Sequence, residues 1–208
     1  MPGNSRDLDV YDSFVHLEIS TSVTSDGEIW ENRLGLGSGA IIKSDLNSTL
    51  VLTAAHICIP QSLDVDPENN IMSLITATTW HDERFFLTIT GIDMVNDLCM
   101  LETGFTGLPY IKISRILPVP GDDVYNLAAP YGIFGNKFVL SFKGTYSGKI
   151  MDDDEQVYTI PAAPGSSGSP VLNSRGHLIG IIHSSTSVME TIAIGPSTEA
   201  TLDFVSGF

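Results

Sequence analysis

Gly165-Ser166-Ser167-Gly168-Ser169-Pro170 is a turn with glycine on both sides of a serine and a proline at its exit. The pattern Gly-x-Ser-Gly-x-Pro fixes four positions, and average residue frequencies produce it in about one chain of this length in several hundred. The two glycines let the backbone bend sharply, with Ser167 at the apex and the amides of Gly165 and Ser167 aimed at one point. Taken alone, a serine in such a loop is an ordinary turn residue. Two upstream segments change that reading. Thr53-Ala54-Ala55-His56 follows the apolar run Leu50-Val51-Leu52, and Asn96-Asp97-Leu98 precedes Cys99-Met100-Leu101. The chain therefore presents a histidine, an aspartate and a serine in the order His56, Asp97, Ser167, each at the end of a strand-like run.

These residue types together point to acyl transfer. A serine hydroxyl is a poor nucleophile at neutral pH and needs a base to take its proton during attack. His56 is the candidate base, returning the proton to the leaving group. Asp97 is the candidate orienting group, fixing the imidazole's tautomer and stabilising the imidazolium. The amides of Gly165 and Ser167 are the candidate oxyanion donors, and losing one such donor typically costs about 3–4 kcal/mol of barrier.

Composition sets the frame for this chemistry. At 208 residues, 42% hydrophobic and 17% charged, the chain suits one compact unit or two packed subdomains. Nineteen scattered glycines and eleven prolines favour short strands joined by tight turns. Ten basic against twenty-five acidic residues give a formal net charge of −15. Such a charge repels nucleic acid and anionic membranes, so neither is expected as a partner. No run approaches the ~20 apolar residues of a membrane span. The N-terminus lacks the basic-then-apolar layout of a signal peptide, which makes a cytoplasmic or virus-associated setting the default expectation. Cys58 and Cys99 are the only cysteines, each two residues beyond a candidate site residue. Two cysteines make no disulfide framework, and the expectation is a pair of buried, reduced thiols that lie near each other.

Strand periodicity appears at 13–20, where Val15, Leu17 and Ile19 alternate against Phe14, His16 and Glu18 as in a half-buried strand. Further strands are expected at 36–42, 49–52, 73–78, 85–90 and 98–102. A second set is expected at 123–128, 138–146, 156–160, 170–173, 177–184 and 191–194. The Gly- and Pro-rich run 104–120 reads as a connector. A short helix is expected at 197–204, opening on the capping residue Ser197 after Pro196. Two β-subdomains follow, residues 1–109 carrying His56 and Asp97, and residues 110–208 carrying Ser167. The site would form in the cleft between them.

The chain resembles the trypsin-fold (chymotrypsin-clan) serine peptidases, whose triad has the same chain order, and within them the HtrA/Deg and glutamyl-endopeptidase-like branches. Gly37-Ser38-Gly39-Ala40-Ile41-Ile42 is similar to the strand ahead of the histidine, and Gly91-Ile92-Asp93 to the approach to the aspartate. Leu127-Ala128-Ala129-Pro130-Tyr131-Gly132, Gly176-His177-Leu178-Ile179-Gly180-Ile181 and Ile192-Ala193-Ile194-Gly195-Pro196-Ser197 match later segments of the pattern. The resemblance implies an all-β fold of two packed six-stranded antiparallel barrels with a short C-terminal helix. It implies endopeptidase activity on proteins or peptides, with no metal and no cofactor.

Several positions depart from the digestive members of that clan. Ser166 stands where those enzymes carry the aspartate that pairs with a newly cut N-terminus, so that route of activation is not expected. Ile57 replaces the cysteine beside the histidine, Ser169 replaces a glycine, and the chain ends without room for the PDZ domain usual in HtrA proteins. The resemblance places the primary specificity pocket at Pro161, Ala162, Ala163 and Pro164 and at His183, Ser184 and Ser185, with residues near 191–193. Pro161 occupies the place of the aspartate that selects Lys and Arg, so a small or aliphatic preference is expected. Ile182 stands where glutamyl endopeptidases place a carboxylate-reading histidine. His183 is one step late, which on a strand turns it to the other face; it is expected beside Asp97. The acidic runs Asp152-Asp153-Asp154-Glu155 and Asp64, Asp66, Glu68 lack the spacing of a calcium loop and read as solvated tips. His16, His81 and His177 read as ordinary surface or strand residues. The alternatives to an active endopeptidase are a catalytically silent trypsin-fold binding module and a viral or phage processing protease.

Overall fold

The computed structural model describes residues 8–25, 28–59, 71–150, 154–186 and 191–208. The first half holds six strands: β1 (Phe14–Ser25), β2 (Glu28–Ser44), β3 (Thr49–Ala54), β4 (Ile71–Thr79), β5 (Arg84–Asp93) and β6 (Leu98–Thr103). They close into an antiparallel barrel in the order β1-β2-β3-β6-β5-β4, with β4 returning to β1. Val15, Leu17 and Ile19 point into its core with Ile41, Val51 and Leu101, as the alternation of β1 predicts. The opposite face of β1 differs from a half-buried strand at its start. Phe14 is fully buried with Leu127, Ala129 and Val139 of the second half. His16 is also buried and stacks on Phe134 at 5.3 Å. That face is covered by the other subdomain instead of water, so His16 is not a surface residue. His81 pairs with Asp12 at 2.9 Å, tying the short helix α1 (Leu8–Asp12) to the β4–β5 turn.

The second half holds β7 (Asp123–Ala128), β8 (Phe134–Gly135), β9 (Phe138–Ile150), β10 (Glu155–Tyr158), β11 (Pro170–Asn173), β12 (Leu178–Ile181), β13 (Ser184–Ser185) and β14 (Ala193–Pro196). They form one sheet in the order β12-β11-β7-β9-β10-β14-β13, with β8 attached to β9. Its two ends are consecutive in the chain, separated only by Ile182 and His183. One continuous stretch thus pairs with β11 through its first half and with β14 through its second. Counted as one strand, it closes the sheet on itself with five partners, and the fold is the trypsin-like double barrel. The core of this half gathers Tyr158, Ile160, Val171, Ile179 and Ala193.

Between the barrels, residues 104–122 run across both. Ile111 N–H donates to Ile41 O of β2, and Leu178 N–H of β12 donates to Lys112 O. This connector lies between β6, the last strand of the first barrel, and β7, the first of the second. The terminal helix α3 (Thr198–Val205) begins at Ser197, whose hydroxyl oxygen accepts from Ala200 N–H at 3.1 Å. The capping pattern in the sequence predicts that start. Asp64, Asp66, Glu68, Asp152 and Asp153 lie outside the described residues; Asp154 pairs with Lys149.

The cysteines depart from expectation. Cys58 and Cys99 form a disulfide with their Cα atoms 6.6 Å apart. β3 and β6 are adjacent and antiparallel, with Thr53 opposite Cys99. The chain then turns through the single-turn helix α2 (Ala55–Cys58), which carries Cys58 back over β6. Proximity alone was visible in the sequence; the turn that aligns the two thiols was not. The bond closes a loop of sequence separation 41, for which the chain-entropy relation gives about 4 kcal/mol. Replacing both cysteines by alanine is expected to lower unfolding free energy in guanidinium by an amount of this order. A loss below about 1 kcal/mol would assign the cross-link no constraining role.

Candidate active site

β3 ends at Ala54, and α2 starts at once with Ala55 and His56. A helix of one turn has no stability of its own, and Ala54 offers no side chain to cap it. Asp97, just before the neighbouring strand β6, supplies the missing acceptors. Its backbone oxygen accepts from Ala55 N–H at 3.1 Å. Its Oδ1 accepts from His56 N–H at 2.9 Å, and its Oδ2 lies 2.6 Å from His56 Nδ1. A carboxylate only accepts, so Nδ1 carries the imidazole proton and Nε2 is left as the basic nitrogen.

The turn before Asp97 explains its pose. Asp93 Oδ1 accepts from Val95 N–H and Asn96 N–H, and Asn96 Nδ2 donates to Asp93 Oδ2 at 2.6 Å. This Asx-type turn delivers Asp97 with φ 53°, a left-handed conformation that Asp tolerates better than most residues. Burial alone would raise the Asp97 carboxyl. The hydrogen bonds from the His56 side chain and backbone, with the charge of a protonated His56 and last that of a protonated His183, outweigh it and hold the group below the usual carboxylate value.

His183 follows β12, with Nδ1 3.7 Å from Asp97 Oδ2 and Nε2 3.3 Å from Glu155 Oε1. Burial lowers its proton affinity despite both carboxylates. Asp97 thus sits between two imidazoles, of which only that of His56 is at hydrogen-bonding distance.

The serine loop enters from the second barrel. Gly168 has φ 82°, and a Cβ there would lie 2.1 Å from Ser38 O and from Thr53 Oγ1. Only glycine permits this approach to the strand end that leads into His56. The loop's own amides divide into two sets. Ser166 N–H donates to Ala163 O, Gly168 N–H to Ile182 O, and Ser169 N–H to Ser166 O. Among the described residues, no acceptor meets the N–H of Gly165 or of Ser167. Gly165 has φ 96°, and its missing side chain leaves room for Ala129 O and Tyr131 N. Ser167 is partly exposed. The structure brings His56 and Asp97 into direct contact and seats the serine loop beside them; no hydrogen bond joins the Ser167 hydroxyl to His56.

Pro161, Ala162, Ala163 and Pro164 lead into the loop, with Pro161 and Pro164 exposed and Ala162 buried. Ser184 and Ser185 are exposed and pair on one side with Ile194 and Ala193. Among the described residues no cluster of three His, Cys, Asp or Glu side chains is arranged to hold a metal. Sequence reading missed the contact of Glu155 with His183. Nothing local signals it, because in the sheet β10 and the β12–β13 stretch are separated by β14.

Comparison with known proteins agrees with this architecture. A solved serine endoprotease from Yersinia pestis superposes with a TM-score of 0.73 at 22% identity, over 100% of this chain and 67% of that one. At that identity the likeness shows the fold alone. The chain is 33% identical over 109 residues to a probable periplasmic serine endoprotease, DegP-like, of Chlamydia pneumoniae, covering 50% of this chain and 22% of the relative. It is 27% identical over 154 residues to the putative serine protease HhoB of Synechocystis, covering 71% of this chain and 34% of the relative. The chain thus spans about a fifth to a third of the curated relatives it matches. The profile of the trypsin-like peptidase domain matches residues 37–181, more than half of the chain. This chain belongs to the trypsin-like peptidase domain family, a family of serine hydrolases.

Proposed function

We propose that the protein is a serine endopeptidase in which Ser167 is the nucleophile, His56 the general base and acid, and Asp97 the group that orients the imidazole. The observation that carries this reading is the 2.6 Å contact of His56 Nδ1 with the Asp97 carboxylate. Its Nδ1–H is held on Asp97, so Nε2 is the nitrogen free to take a hydroxyl proton. Attack of Ser167 Oγ on a peptide carbonyl forms a C–O bond while the proton passes to Nε2. The resulting oxyanion is held by the N–H groups of Gly165 and Ser167, the two loop amides with no internal acceptor. The imidazolium then protonates the leaving amine, giving an acyl-enzyme and the first product. Water, deprotonated by the same imidazole, hydrolyses the ester and restores the serine. The serine–histidine bond tightens around bound substrate, which fits a loop seated close to His56 without a closed contact.

Substrates are proteins or peptides. Their backbone adds along the exposed stretch at Ser184 and Ser185, and the residue before the cut occupies the wall formed by residues 161–164 with His183 at its inner end. With Pro161 in that wall in place of an acid, a small or aliphatic residue is the preferred one. The Cys58–Cys99 bond suits an oxidising compartment, and we place the enzyme there in preference to a reducing cytoplasm.

A fluorophosphonate probe should label the chain once, at Ser167. Ser167→Ala should lose labelling and nearly all hydrolysis while its thermal unfolding stays unchanged. Absence of labelling in the wild-type protein would favour a silent binding module, and turnover retained by Ser167→Ala would move the active site elsewhere.

The pH profile offers a second check. Asp97 is held below the ordinary carboxylate value and stays ionised through the range in which histidines titrate. Burial keeps His183 neutral over the upper part of that range. With Asp97 still ionised, loss of activity on acidification belongs to the general base: log kcat/KM should rise with pH and level above the neutral range, as catalysis by an imidazole base requires. A profile flat from about pH 5 to 8 contradicts the assignment.

A further inference from the structure

Ser38 lies in β2 of the first barrel and is fully buried. All its polar groups are engaged with segments that build the site. Its N–H donates to Ser167 O at 2.8 Å, and its own carbonyl accepts from Thr53 Oγ1 at 2.8 Å. Its hydroxyl has a single proton, which goes to Gly165 O at 2.8 Å, while a lone pair accepts from Ala129 N–H at 3.2 Å. One side chain thus joins the serine loop to the turn at residues 129–132.

That connection bears on the two unpaired amides. Gly165 is one of two glycines in the loop and is held at φ 96°. The peptide plane before it is anchored by Tyr131 N–H on Pro164 O at 2.6 Å. The plane after it is anchored by Ser38 Oγ on Gly165 O and by Ser166 N–H on Ala163 O. Removing the Ser38 hydroxyl releases one of these anchors and leaves Ala129 N–H without its acceptor. The turn at 129–132 then loses the tie that steadies its Tyr131 N–H against Pro164 O, the anchor of the plane that carries the Gly165 N–H, and that N–H can tilt away from the Ser167 amide.

We propose that Ser38 is a positioning residue for the oxyanion site: acting through Gly165, its hydroxyl keeps the amides of Gly165 and Ser167 convergent. The proposal rests on the assignment of those amides in the reading above. It predicts a defect in holding a tetrahedral anion, with peptide binding little changed.

The test uses the full chain, active-site titrated with a fluorophosphonate so that rates refer to reactive molecules. Ser38→Ala should lower kcat on a peptide substrate by about tenfold to a hundredfold, less than the loss of an oxyanion donor itself, with KM within about twofold. Affinity for a peptide boronate, whose serine adduct carries a tetrahedral oxyanion, should fall by a similar factor. Ser38→Cys keeps the size and a weak donor, should give a smaller loss, and carries the test if the alanine variant does not fold. Wild-type kcat and boronate affinity in the folded variants would overturn the proposal, as would a loss appearing in KM alone. A wild-type chain unlabelled at Ser167 would instead overturn the underlying reading.

Discussion

Asp97 accepts the N–H groups of Ala55 and His56 and the Nδ1–H of the same histidine, so one residue both caps a helix and orients the imidazole that the helix carries. The helix is a single turn without a side-chain cap of its own, and its placement comes from its neighbours. β3 and β6 supply it through their register, in which Ala54 lies opposite Leu98. A slip of one residue would turn every side chain of either strand to the other face and separate the pair. The buried runs of these strands set the register. Burial therefore acts on the chemistry through pairing, and the disulfide two residues further along each segment fixes the same junction covalently.

Joining the halves is a second constraint. The serine loop belongs to the second barrel, yet its backbone is docked on the first: Ser38 N–H binds Ser167 O, and Gly168 sits against Thr53 and Ala54. A side chain at Gly168 would have to displace backbone and a buried hydroxyl, so the approach is closed to every other residue. The covered face of β1, with Phe14 and His16 under Leu127, Val139 and Phe134, supplies the apolar part of the same junction. Packing, and not the connector alone, sets the distance between the serine loop and the His56–Asp97 pair.

Much of this was legible in the sequence because the signals were local. Alternating Val15, Leu17 and Ile19, the buried run 49–52 and the capping Ser197 each announce their element within a few residues. The glycines at 165 and 168 were legible because only glycine adopts their backbone. What stayed hidden depends on partners remote in the chain. Cys58 and Cys99 meet only after α2 folds back over β6. Phe14 and His16 lose their solvent only when the second barrel covers them. The stretch 177–184 reads as one strand, and no pattern within it announces that it changes partners midway to close the barrel. Ser38 reads as a small residue between two glycines, and its four bonds become visible only when three distant segments converge.

The two imidazoles around Asp97 show how burial can divide the labour of similar groups. In the proposed mechanism, proton transfer from Ser167 would put a positive charge on His56, and the Asp97 carboxylate would stabilise it. A second cation on the same carboxylate would compete for that stabilisation. His183 is close enough to be one, and Glu155 on its far side favours its protonation. Burial outweighs both carboxylates and lowers its proton affinity, so above the ordinary histidine value Asp97 has a neutral neighbour in His183. This balance fails in acid. Both His183 and Asp97 release protons more readily in the folded chain than in the unfolded one. The unfolded chain therefore binds more protons below the ordinary histidine range, and again below the ordinary carboxylate range. Stability falls as pH drops, and the proposed catalysis would fall with it, because the Asp97 carboxylate that orients His56 also faces His183 of the second barrel.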